Sequence, residues 1–148
     1  MSDRSTLAAY RAAVWTLDLP HAGPVRLRLP GPAPAALRPS GIVTAYNPAS
    51  ALRTARENAL AHRRLRAELR RRGLRWLRCV ADAPDTGSAE WREPGFCVLG
   101  CARDTVVALG ARSGQNAVVW IDADGLAALV ATRDGFAGCR VGEVIGPR

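Results

Sequence analysis

Seven side chains in the middle of this 148-residue sequence are of types that could do chemistry together: Thr44, Asn47, Glu57, Asn58, Glu93, Gln115 and Asn116. Two are carboxylates, able to accept a proton or hold a cation; four are amides, which orient a ligand through donor and acceptor at once; one is a hydroxyl. Around a shared cleft, Thr44, Asn47, Asn58, Gln115 and Asn116 would read the polar edge of a nucleobase or an amino acid. Glu57 or Glu93 would then be the catalytic proton acceptor or cation partner. The same residues also suit folding alone, with Asn47 in an Asx turn, Asn58 bonded to a neighbouring strand's backbone and Gln115-Asn116 satisfying a loop. Two carboxylates do not define a hydrolase, because glycoside chemistry needs a separation of roughly 5 to 9.5 Å that sequence does not give.

Other chemistries are excluded by composition. All 21 basic residues are arginine and lysine is absent, which removes Schiff-base catalysis and the P-loop. With only His21 and His62, a histidine-rich metal site is not expected, and no cofactor is implied. The opening Met1-Ser2-Asp3-Arg4 is not followed by an apolar run, and no stretch approaches the eighteen or so apolar residues of a membrane span. A cytoplasmic protein without membrane contact is the expectation, with Cys79, Cys97, Cys101 and Cys139 as reduced thiols. Cys97 and Cys101 have the wrong spacing for a Cys-x-x-Cys pair, whereas a thiol opening a helix at Cys101 would have a lowered pKa.

The net charge of +8 belongs to one segment. Residues 51–78 hold ten arginines against Glu57 and Glu68, while the rest of the sequence carries eleven charges of each sign. From Ala51 to Arg72 helix formers dominate, with Ser50 placed to cap and Gly73 to stop. A projection at 100° per residue gathers Ala51, Ala55, Asn58, Ala61, Leu65 and Leu69 on one side and Arg53, Arg56, Arg63, Arg64, Arg70 and Arg71 on the other. Thr54, Asn58 and His62 form a polar row within the inner side.

The remaining elements read from periodicity. Residues 7–19 begin helix-like and end in strand-like alternation; Val25–Leu29 alternates as a hairpin partner; residues 30–40, with four prolines, predict a loop. Gly41–Tyr46 predicts a strand closed by Asn47-Pro48. Leu74–Ala81 and Phe96–Leu99 predict two more, flanking a mobile loop from Asp82 to Gly95 whose tip is Asp85–Ser88. Cys101–Ala111 predicts a second helix. Ala117–Ile121 and Leu126–Ala131 predict a hairpin turning at Asp122–Gly125. Trp76, Trp91 and Trp120 suit packing, although Trp91 in the loop could fold over a pocket as a lid.

Without the N-terminal hairpin the order is β, α, β, β, α, β, β. The expected class is α+β, a ferredoxin-like two-layer sandwich with a mostly antiparallel sheet and two main helices. The expected organisation is one domain: an N-terminal hairpin and Pro-rich loop to residue 40, a core at 41–131, and a loosely held tail from 132.

Two strings, Thr44-Ala45-Tyr46-Asn47-Pro48 and Gly114-Gln115-Asn116-Ala117-Val118-Val119-Trp120, together with Glu57-Asn58 and Trp91-Arg92-Glu93-Pro94, carry a resemblance. In that order and spacing the segment at about 41–131 resembles the bacterial domain of unknown function numbered 3293. It departs from the family's pattern at Ala61 and His62, where asparagine or arginine is usual, and at Gly95, where serine is usual. The resemblance implies candidate positions and no activity.

Three readings follow. The first is a domain binding a small polar metabolite or nucleotide, with catalysis open. The second is a non-enzymatic nucleic-acid or ribosome-associated module using the arginine face. Against it, the helix has no interleaved aromatic residue to stack bases. The third is an interaction domain that dimerises through its sheet edge.

Overall fold

Residues 117–131 show how the local pattern becomes sheet. Gly125 takes φ +93°, Asp122 Oδ1 accepts the Leu126 N–H, and the chain reverses between two apolar strands. The computed structural model describes residues 2–83 and 92–146. Eight strands form one antiparallel sheet: β1 Val14–Leu19, β2 Gly23–Leu27, β3 Gly31–Pro32, β4 Ser40–Val43, β5 Arg75–Asp82, β6 Arg92–Leu99, β7 Ala117–Ile121 and β8 Leu126–Ala131. Their spatial order is β2-β1-β5-β6-β4-β7-β8-β3.

That order forces the sheet to curl. Its two edges, β2 and β3, are consecutive in the chain and joined only by residues 28–30. So short a link reaches no more than roughly 15 Å. Eight strands laid flat would put the edges about 34 Å apart. The sheet therefore closes most of the way into a barrel, and the expected ferredoxin-like two-layer sandwich is overturned. Local periodicity gave most of the strands, but not the return of the chain from one edge to the other.

Curling separates two apolar layers. Inside lie Trp15, Leu17, Leu27, Ile42, Cys79, Cys97, Val119, Ile121 and Leu129. Outside, Val43, Phe96, Val98, Val118 and Val130 pack against Leu65 and Leu69 of helix α2 (Ala55–Arg71) and Val106 and Leu109 of helix α3 (Arg103–Arg112). Helix α3 comes very close to the sheet, because a Cβ at Gly41 or Gly110 would overlap Val106 or Val118. A third helix, α1 (Asp3–Ala12), lies over one rim of the barrel, with Leu7 in the inner layer and Tyr10 edge-on to the buried Phe136.

Four local expectations are corrected. Helix α2 starts at Ala55, capped by Thr54 rather than Ser50, because Thr54 and Glu57 satisfy each other's backbone N–H in a capping box. Gly31-Pro32, inside the expected loop, pairs with β8 as an edge strand, where a proline's missing donor costs no ladder bond. The expected loop 82–95 loses Arg92–Gly95 to β6, which pairs with β5 from Leu99 opposite Arg75 to Arg92 opposite Asp82. The loop tip Asp85–Ser88 and the Trp91 lid lie outside the described residues. The tail is not loose up to residue 146. Phe136 and Ile145 are buried, and Ala131 exchanges backbone bonds with Glu143 and Gly142. Among the described residues no helix is long and apolar enough to cross a membrane.

Candidate functional site

The end of β4, the starts of β6 and β7 and the end of β8 meet at one rim of the barrel, as the pairings Val43–Phe96 and Ala117–Ala131 require. After β4 the chain makes a tight loop in which Asn47, Ala49 and Ser50 all have φ between 47° and 60°. Three left-handed non-glycine residues so close together are costly and persist only where surrounding bonds hold them. Asn58 on α2 supplies much of that hold. Its Oδ1 accepts the Asn47 N–H (2.9 Å) and its Nδ2 donates to Asn47 Oδ1 (3.0 Å), which also accepts the Arg53 N–H. Ala49 donates to the Gly114 carbonyl, and Gln115 Nε2 donates to the Tyr46 carbonyl.

With Asn47 fixed from one side, its Nδ2 donates to Glu93 Oε1 at 3.0 Å. Burial pushes the Glu93 carboxyl above the usual carboxylate range, and the Asn47 bond offsets part of that rise. Tyr10 stands beside it. Its hydroxyl is pushed up by burial, held back by a hydrogen bond with Ser50, raised by the Glu93 charge and lowered by Arg133. Ser50 Oγ accepts from Asn116 Nδ2 (3.1 Å), and Asn116 Oδ1 accepts from Arg133 Nε (2.7 Å). The Ser50 N–H donates to the Asn47 carbonyl, so one network of side-chain and backbone bonds runs from Asn58 to Arg133.

The network lines a cleft of ≈ 130 Å³ walled by Thr6, Ala9 and Tyr10 of α1 and by Leu52, with Asn47, Ser50, Glu93 and Gln115 as its polar lining. Behind it, in the barrel interior, lies a cavity of ≈ 30 Å³, room for about one water. Tyr10, Glu93 and Gln115 border both spaces and so form the partition between them.

Of the seven residues read from the sequence, Asn47, Glu93 and Gln115 line the cleft and Asn58 and Asn116 brace it. Thr44 lies behind it, donating to the Pro94 carbonyl and bordering the inner cavity. Glu57 is elsewhere: its side chain is 53% exposed, caps α2 and lies 3.7 Å from Arg53. Its carboxyl is held below the usual range, chiefly by the Thr54 backbone N–H. The sequence reading missed Tyr10, Ser50 and Arg133. For Arg133 a signal existed. Continuing the predicted hairpin past Ala117 opposite Ala131 brings residues 115–116 beside 132–133, as the Thr132 N–H to Asn116 carbonyl bond shows.

The polar row on α2 divides, since Thr54 is exposed as the cap while His62 lies inward. His62 stacks on Phe96 at 4.5 Å and meets Tyr46 edge-on at 5.9 Å, and its buried Nδ1 has no partner among the described residues. Burial, then Arg66 and Arg78, lower its pKa. The four cysteines are free. Burial raises Cys79 strongly, Cys97 to about 11, and Cys101 as well. The activated Cys101 is therefore not found: the residue precedes α3, is buried and donates to the Val98 carbonyl. No cluster of His, Cys, Asp or Glu among the described residues has the makings of a metal site.

Comparison with protein families matches the chain to the family described as "Protein of unknown function (DUF3293)" over residues 43–118. Those bounds take in Thr44, Asn47, Asn58, Glu93, Gln115 and Asn116 and leave out Tyr10 and Arg133. Comparisons with curated proteins and with solved structures give no match.

Proposed function

The chain belongs to the DUF3293 family, and we propose that the cleft beneath α1 binds a small polar molecule and sets a protonatable carboxyl against it. The observation that carries this reading is Glu93. A half-buried carboxyl drawn out of water raises its own pKa, and a fold that needed only packing there would gain by a neutral residue. Instead Asn47, locked in a left-handed conformation by Asn58, aims its amide at one Glu93 oxygen. That is the arrangement of a group held for use.

Size narrows the ligand. A cleft of ≈ 130 Å³ is smaller than the roughly 300–1,000 Å³ of drug-sized sites. It suits an amino acid or the base of a nucleoside, not a whole nucleotide. Glu93 carries its proton over a wider pH range than a surface carboxylate, so it donates to a ligand acceptor when protonated and takes a proton when ionised. Tyr10 and Gln115 offer further polar contacts.

The test is thermal-shift screening of amino acids and nucleobases at pH 5.5 and pH 8 against the wild type, Glu93→Gln and Tyr10→Phe. At least one compound should raise the wild-type melting point by several degrees, with that rise reduced in both variants. A panel that moves no melting point, or moves wild type and Glu93→Gln equally, rules the reading out.

A further inference from the structure

Helix α2 shows two unlike flanks once it is seated on the sheet. On the flank toward α3, Glu68 bonds Arg71, Arg72 and Arg112, and Glu57 lies near Arg53, so the cations there are largely matched. On the other flank, steps of 100° per residue put Arg56, Arg63, Arg66 and Arg70 in one stripe with no acid between them. The strand beneath continues it. Trp76 and Arg78 of β5 point to the outer side of the sheet, opposite in parity to the inward Leu77 and Cys79. Arg66 and Arg78 both act on His62, so the two elements bring their charges together there. Among the described residues none of these five arginines has an ion-pair partner. The nearest acid along the sheet register, Asp18 on the neighbouring β1, pairs with none of them either.

We propose that this α2–β5 face binds single-stranded nucleic acid. Arg70 lies fourteen steps along from Arg56, about 21 Å of helix. Planar guanidinium groups over that length match a run of phosphates. The aromatic surface that the helix itself lacks comes from the strand. Trp76 is only half-buried, leans edge-on against Phe96 at 5.9 Å and adjoins Arg78 two residues on. A base freed from a duplex can stack on such an indole, whereas a paired base cannot reach it. A membrane surface is the poorer match, because Leu60, at 41% exposure, is the single large apolar side chain that α2 shows to water, too little for an anchor.

The experiment is fluorescence anisotropy with fluorescein-labelled 20-nucleotide oligo(U), in 50 and 200 mM salt. Five phosphate contacts predict a log–log salt slope near −3.5, a loss of about a hundredfold in affinity between those two conditions. The triple variant Arg63→Glu, Arg66→Glu, Arg70→Glu should weaken binding more than tenfold, while Arg64→Glu with Arg71→Glu on the other flank should stay within about threefold. If charge reversal prevents folding, the corresponding Arg→Gln triple, checked by its melting curve, takes its place. Equal losses in both sets, a salt slope near zero, equal competition by duplex DNA, or binding only to phosphatidylglycerol vesicles would each overturn the proposal.

Discussion

Asn58 and Arg63 are five residues apart on α2 yet belong to regions built on opposite principles. At the barrel rim the polar side chains are held by one another or by backbone, from Asn58 through Asn47 to Glu93, from Ser50 through Asn116 to Arg133, and from Gln115 to the Tyr46 carbonyl. On the arginine flank no such dependence exists, since the guanidinium groups stand in water and act by number. The difference teaches that geometry is specified where water is excluded, because an unpaired group there is penalised in full. Charge alone is specified where water remains. One region should fail when a single atom is lost, the other only when several charges are.

The most damaging way to break the comparison is through the residue both regions lean on. Phe96, buried between His62 and Trp76, seats α2 on the sheet. Phe96→Ala should cost about 3–5 kcal/mol in urea denaturation and disturb both regions together. Next comes Asn58→Ala, which leaves the Asn47 N–H without its partner and the Asn47 Oδ1 with the Arg53 N–H alone. It should cost about 1–3 kcal/mol and abolish any ligand-induced melting shift, while oligo(U) affinity of the folded protein stays within twofold. An equal effect on both readouts would erase the distinction.

Glu93→Gln separates them by pH. The folded-state pKa of Glu93 lies above its unfolded value, so the folded chain holds the proton more tightly. The stability this contributes is present below the unfolded pKa and lost as pH rises through the folded one. Melting followed from pH 4 to pH 8 should show the glutamine variant gaining on the wild type as pH increases. The smallest effect belongs to the flank: Arg63→Gln alone should change stability by less than about 0.5 kcal/mol in the same assay.

What the sequence made legible was local. The β7–β8 turn was readable because Asp122–Gly125 has the chemistry of a hairpin, and α2 because its apolar and basic residues recur at helical spacing. What escaped was imposed from a distance. Arg92-Glu93-Pro94-Gly95 has the composition of a loop and becomes strand only because β5 lies beside it. Ser50 looks like a helix cap, yet the chain stays left-handed there and its hydroxyl goes to Asn116, sixty-six residues on. Tyr10 reaches the site only because α1 crosses the rim, a placement fixed in part by Asp3 bonding Arg133 and the Ala137 N–H. No window along the sequence contains both ends of such contacts.

The short connection that brings β2 round to β3 also bears on the two open borders of the sheet. Each terminal strand carries a proline, Pro24 or Pro32, where a foreign strand would seek an N–H, and β3 is only two residues long. Neither border therefore offers the long, flat template on which fibrils grow. A longer, glycine-rich insert at residues 28–30, which would let the two borders part, should therefore raise the light scattering of concentrated solutions.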